Sequence, residues 1–260
     1  MRPHWFLLRE LVRRDFHGRY AGSFLGFLWS FVQPLWQLVL FSFVFSTVMR
    51  IPPSGTGTSR FWVFLFCGLL PWMAVQEGVL RGATAVTDNS HLVKKLRFPA
   101  EILVLTAVLA ALAHEAIAAV VFLVALVAIG ELSPATLPWL LVALPLQLAL
   151  TCGLGLLLAG VQVFFRDVAQ LLGMALTAWF YLTPIVYPLA MVPDSWRGWL
   201  ALNPLTGLVG LYRAALLGST APVAAQVEAL LPALVTAALL VLAAGWWTFR
   251  RLAPAFADEI

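Results

Sequence analysis

His114 and Glu115 are an adjacent imidazole and carboxylate in an apolar run, Ile102 to Ile129, that carries no other ionisable side chain. About 12 residues into a helix, at ~1.5 Å rise per residue, they lie ~18 Å along it, near the centre of a ~30 Å hydrocarbon layer. Charge is costly there, so such a pair is a candidate for a proton or substrate path. The alternative is structural: neighbouring helical residues point about 100° apart, so at least one can be satisfied against another span or a subunit interface. No relay partner on a second span is evident at the same depth.

Other chemistries are excluded by their missing parts. The chain has no phosphate-cradling GxxxxGK[ST], no GxSxG nucleophile turn and no HExxH zinc helix. Cys67 and Cys152 lie in apolar stretches without neighbours at metal-ligand spacing, so they read as small buried hydrophobes and no metal site is expected. Aromatic residues are more informative. Trp29, Phe31, Trp36, Phe41, Phe43 and Phe45 crowd one apolar run, and Trp179, Phe180, Tyr181 and Tyr187 another. Many must face lipid or form interfacial belts. Others can line a conduit, because ring faces pack on the C–H faces of sugars without fixing them by charge.

The elements that must position these groups follow from composition. Hydrophobic residues are 62% and charged residues 11% of 260 positions, which describes a single integral membrane domain over 1–260. The net charge of +4 is spread over short loops, as suits orientation and anionic lipid rather than nucleic acid. Residues 1–22 read as an amphipathic interface helix, with Trp5, Leu8, Leu11, Val12 and Phe16 on one arc and Arg9, Glu10, Arg13 and Arg14 opposite; Asp15 breaks the pattern. Its length and the length of the first span argue against a cleaved signal segment.

Six spans are expected, at 25–48, 61–78, 102–129, 137–165, 168–187 and 230–249, the second broken or tilted at Pro71 and the fifth interrupted at Pro184 and Pro188. Glu77 and Arg81, one turn apart near the inner end of the second, are expected to pair. Between spans two and three, TDNSHLVKKLRFP is a polar loop with a short helix that Asp88, Asn89 or Ser90 can cap. Arg166 and Asp167 mark a tight inner turn. Two short helices dipping into the outer leaflet fit 193–218: Asp194 or Ser195 caps the first, Asn203 followed by Pro204 opens the second, and Gly218 closes it. Twelve of the 16 basic residues then fall inside and only Arg50, Arg60, Arg197 and Arg213 outside, which places both termini in the cytoplasm.

Three stretches together resemble the permease subunit of ABC-2 type polysaccharide exporters: RRDFHGRYAGSFLGFLWSFVQPL, KKLRFPAEIL, and FFRDVAQLL through LTPIVYPLAMVP to LNPLTGLVGLYRAALLG. The resemblance implies an all-α inner-membrane permease that passes an undecaprenyl-linked, O-antigen-like polysaccharide outward. It implies a homodimer working with two copies of a separate ATPase subunit that binds ATP and Mg, with no cofactor in this chain. It also implies an ATPase-coupling helix at Asn89, Ser90, Leu92, Lys94, Lys95, Leu96 and Arg97, with Arg166 and Asp167 as a second contact. An external gate would comprise Asp194, Trp196, Asn203, Pro204 and Arg213, and the substrate path would draw on Trp29, Trp36, Trp179, Phe180, Tyr181 and Tyr187. The rivals are an ABC-2 permease for a drug or small lipid, and an intramembrane transferase, which would need more acidic or histidine residues clustered at one membrane face. Lacking a phosphate loop, the purified chain is expected to hydrolyse no ATP until a nucleotide-binding subunit is added; contaminant-free hydrolysis by the lone chain, measured as phosphate release, would exclude the permease reading.

Overall fold

The computed structural model describes residues 6, 8–14, 28–50, 58, 60–95, 99–218 and 221–260; these are mostly helical, without strands. In chain order the elements are α1 (8–14), α2 (Trp29–Ser42, continued as a π-helix over Phe43–Val48), α3 (Phe61–Asp88), α4 (Ser90–Lys95) and α5 (Glu101–Ile129). After a 3-10 turn at Pro134–Trp139 come α6 (Leu140–Gln162), α7 (Val168–Tyr181), α8 (Asp194–Leu202), α9 (Pro204–Leu217), α10 (Ala221–Leu252) and α11 (Phe256–Glu259).

α3 is the centre. Most of its side chains from Phe61 to Val86 are buried, and α5, α6 and α9 pack around it. The helix runs unbroken through Pro71, where the sequence led us to expect a break or a tilt, and continues past position 78 to Asp88. A proline in a spanning helix is tolerated where neighbours support its backbone, and α6 brings Gln147 Nε2 to 3.5 Å from the Pro71 carbonyl. The charged residues beyond 78 do not stop it either, because Glu77 pairs with Arg81 at 3.6 Å and with His114 Nδ1 at 3.8 Å.

Small residues let the backbones meet. A Cβ on Gly153 of α6 would stand 2.6 Å from Leu242 N, and one on Gly245 of α10 would stand 2.1 Å from the Gly153 carbonyl oxygen. Between α3 and α6, a Cβ on Gly78 would reach 2.7 Å from Thr151 Cγ2, and one on Gly82 3.3 Å from Gly155 Cα. Contacts this close are what hold helices together in lipid, where apolar side chains gain little by leaving one another's company.

Four described helices are long and apolar enough to cross a membrane: Phe61–Asp88, Glu101–Ile129, Pro134–Gln162 and Val227–Ala255; α8 and α9, bent by 91°, make a fifth if taken as one span. The expected first span survives as the shorter apolar helix Leu35–Val48, its residues before 28 lying outside the described ones. The expected fifth span, 168–187, is helical for only 14 residues, about 21 Å at ~1.5 Å each, and stops at Tyr181. The cause is Pro184, which cannot donate to the ladder and pushes the residue before it out of helical geometry.

A second apolar cluster closes the end that carries α4. Phe256 of α11 is fully buried, its ring 5.2 Å from Phe249 and 6.3 Å from Phe164, and Leu92, Val93, Leu252 and Ile260 pack on the same group. Residues 253–260 therefore brace α4 from beneath.

Two outcomes follow from this packing. Gly153→Ala drives a methyl into the α10 backbone and should lower stability by about 1–3 kcal/mol, whereas Gly198→Ala, whose Cβ would meet nothing within 4 Å, should leave it unchanged or slightly raised; thermal unfolding in detergent compares them. Phe256→Ala should cost about 3–5 kcal/mol locally and speed labelling of a cysteine placed at Val93 by a water-soluble maleimide, with the buried Cys67 and Cys152 silent in both backgrounds.

Candidate functional site

The end opposite α4 holds a cavity of about 710 Å³ between the π-helix, the end of α7 and α8. Four residues expected from the sequence to serve as path or gate meet in its wall, Trp179, Tyr187, Trp196 and Asn203, joined by Phe45, Met49 and Trp199. The polar atoms of Trp179, Tyr187 and Asn203 are engaged in building the wall. Trp179 Nε1 donates to Asn203 Oδ1 at 2.9 Å, and Asn203 Nδ2 donates to Thr183 Oγ1 at 3.0 Å. Asn203 Oδ1 also accepts from Leu205 N at 3.1 Å, the N-cap that the Asn-Pro pair announced, with Pro204 opening α9. Tyr187 donates its hydroxyl proton to the Tyr181 carbonyl at 2.9 Å. What remains for a passing ligand is ring faces, the thioethers of Met49 and Met191 and the indole edges of the exposed Trp196 and Trp199.

The other path and gate candidates are placed differently. Phe180 turns inward, stacked 5.5 Å from Phe41 and tilted 5.5 Å from Trp72, so its ring belongs to the core rather than to a surface that a substrate touches. Trp29, Trp36 and Tyr181 are exposed on α2 and α7, away from the cavity wall. Asp194 is the first residue of α8 and pairs with Arg197 without a side-chain bond to the helix start; Arg197 in turn donates to the carbonyls of Val192 and Ala190 at 2.9 and 3.0 Å, fixing the turn before α8. Arg213, expected on the outer side among the gate residues, is half-buried: it donates to the carbonyls of Pro184 and Ile185, both at 2.8 Å, with its guanidinium carbon 3.6 Å over the Phe64 ring. It supplies the donors that the proline break took from the backbone after α7.

At the α4 end, the described part of α1 has unlike faces. Leu8, Leu11 and Val12 are half-buried and Arg9, Glu10, Arg13 and Arg14 exposed; Trp5, Asp15 and Phe16 lie outside the described residues. Leu11 and Arg14 join Arg81, Asp88, Asn89 and His91 around a smaller, more polar cavity of about 430 Å³. Asn89 does not cap α4: its Nδ2 donates to the Ala85 carbonyl at 2.9 Å, closing α3 instead. Leu92 is half-buried against the second apolar cluster, while His91 and Lys94 are exposed and Ser90 is partly so. Leu92 therefore seats α4 on its own chain. The side chain of Lys95, and Leu96 and Arg97 altogether, lie outside the described residues.

Arg166 and Asp167 are exposed beside an exposed Phe165. Their turn is shaped by Gln162, whose Nε2 donates to the Arg166 carbonyl at 3.1 Å and whose Oε1 accepts from Ala169 N at 2.8 Å.

The mid-helix pair His114 and Glu115 parts company, as the 100° step requires. His114 turns to Glu77 on α3. Glu115 is buried midway along α5, where Oε2 accepts from Gln147 Nε2 of α6 at 2.6 Å and Oε1 lies 2.6 Å from the Tyr212 hydroxyl of α9, which also contacts Gln147 Oε1. These two polar partners are uncharged, which is why a search of the sequence for ionisable relays missed them. Among the described residues no group of three or more His, Cys, Asp or Glu is gathered as for a metal ion.

Comparison with known proteins fits this architecture. The family model described as ABC-2 type transporter matches residues 7–217. The O-antigen export system permease protein RfbA of Myxococcus xanthus is 36% identical over 260 residues, 98% of this chain and 95% of that protein. A Klebsiella pneumoniae protein of the same name is 28% identical over 80% of this chain and 78% of its own length. The polysialic acid transport protein KpsM of Escherichia coli is 26% identical, covering 81% of each. The chain is thus a member of the ABC-2 type transporter membrane family.

Proposed function

We propose that this chain is the permease subunit of an ATP-driven exporter of lipid-linked polysaccharide, two copies of it pairing with two copies of a separate ATPase subunit in the inner membrane. The observation that carries this reading is the 36% identity along 98% of the chain to an O-antigen export permease. A second relative named for polysialic acid transport favours a glycan over a drug or small lipid as cargo. Six crossings with both termini cytoplasmic complete the topology, α2 with its π-helix and α7 with the turn after it forming the first and fifth.

In this reading the α4 end is cytoplasmic. His91 and Lys94 of α4 and the Phe165–Asp167 turn are the surface offered to the ATPase, and Leu92 is the inward anchor that makes α4 move with the permease body. The cavity at the α8 end is the outward section of the path. A long glycan must slide, and tight binding at any one place would stall it. Ring faces offer many similar, weak contacts of roughly 1 kcal/mol each.

The reading is tested in cells deleted for the chain's gene and complemented with variants, scoring surface polysaccharide against membrane-inserted protein. Re-expression of the wild type should restore surface glycan, and restoration of drug efflux without glycan would overturn the proposal. Trp196→Ala should lower export about five-fold at unchanged protein level. Phe180→Ala should lower the amount of folded protein, since its ring is core packing. Wild-type export from a Trp179→Ala, Trp196→Ala double variant would place the conduit elsewhere.

A further inference from the structure

The contacts around Glu115 can be counted in protons. Glu115 lies against Gln147 and Tyr212 in a closed ring of three polar groups, and Gln147 Nε2 supplies the proton for the ring's one nitrogen–oxygen contact. The other two contacts are oxygen to oxygen, and both involve the Tyr212 hydroxyl, which owns a single proton. Gln147 Oε1 has none to give. The remaining proton must sit on the Glu115 carboxyl, which donates to Tyr212 while Tyr212 donates onward to Gln147.

Turning the amide over does not change the count. Its nitrogen would then donate to Tyr212 and Tyr212 to Glu115 Oε1, but the amide oxygen would face Glu115 Oε2 with only a carboxyl proton available to fill that contact. The orientation with Nε2 toward Glu115 is also the one that leaves the second amide proton facing the Pro71 carbonyl, 3.5 Å away on α3. No basic side chain takes part in the ring; His114 and Arg81 are paired with Glu77 instead.

We propose that Glu115 is a neutral, proton-bearing acid that closes this ring and so latches α9 to α5 and α6. α9 is the buried arm of the bent α8–α9 pair, and Tyr212 is buried in its side chain with Glu115 and Gln147 as its hydrogen-bond partners. Moving α9 outward would strip Tyr212 of both partners and leave Glu115 Oε1 and Gln147 Oε1 unpaired in an apolar setting, while the Glu115–Gln147 contact between α5 and α6 stays. A carboxylate could not close the ring; a carboxamide could, donating from its nitrogen to Tyr212 and accepting at its oxygen from Gln147. That release of α9 belongs to the export cycle rests on the function proposed above, but the ring itself does not.

The test uses the full chain, alone in detergent for the latch and in complemented cells for its role. Infrared difference spectra of the wild type against Glu115→Gln should show the carbonyl stretch of an un-ionised carboxylic acid lost in the variant. Glu115→Gln should keep the unfolding temperature, while Tyr212→Phe and Glu115→Ala should lower it by roughly 5 °C. No lost acid band, or a Glu115→Gln protein that melts as low as Tyr212→Phe, would overturn the latch, and the Gln and Phe variants decide the matter even if the Ala variant fails to fold. In cells, Tyr212→Phe should alter export per inserted molecule while Glu115→Gln does not. Equal export from both, with the spectra as expected, overturns the role in export and leaves the ring standing.

Discussion

Backbone contact at glycine is the constraint on which this structure depends. In lipid a leucine gains almost nothing by leaving hydrocarbon for a neighbouring helix, so association must come from close van der Waals approach and from hydrogen bonds between helices. α6 meets α10 where Gly153 and Gly245 face one another, and meets α3 through Gly78, Gly82 and Gly155. That three-helix contact fixes the depth and rotation of α3 and α6. Gln147 is thereby aimed at Glu115 and Pro71, and Glu77 at Arg81 and His114. Gln147 and Glu115 meet because the backbones are near enough for their side chains to reach.

The second theme is compensation at breaks. The chain interrupts its ladder after α7 and again between α8 and α9; the first interruption is repaired by a side chain from a distant part of the sequence, the second by the residue at the break itself. Arg213 takes the carbonyls of Pro184 and Ile185, and Asn203 ties the start of α9 to Trp179 and Thr183. The aromatic cavity lies beside these repairs. An irregular backbone supported this way can present a surface that no straight helix offers, and it ties the cavity wall to α9.

What could be read from sequence was whatever is decided locally. The Asn203-Pro204 start of α9 and its closure at Gly218 depend on neighbours within a turn or two, and the helix begins and ends there. What could not be read depends on rotation about a helix axis and on packing. Pro71 gives the same signal whether or not a neighbour supports it. Phe180 and Trp179 are adjacent in one aromatic cluster, and only the placement of α2 and α3 sends the first into the core. The packing of Leu92 could not be read either, because the apolar group beneath it comes mostly from residues far along the chain, Phe164, Phe249 and Phe256. The partners of Glu115 are 32 and 97 residues away and carry no charge, so no spacing rule connects them.

The brace beneath α4 also bears on the order of assembly. α3, α4 and α5 leave the ribosome early, but the surface on which α4 rests is incomplete until Phe256 and Ile260 have been made. Chains fold from the amino-terminal side during synthesis, and an element lacking its packing partner stays mobile. The α4 end is therefore the last part of the molecule to become rigid. A subunit that recognises the rigid form of α4 would meet only chains in which Phe256 is already in place, so the position of one phenylalanine in the sequence would time that encounter.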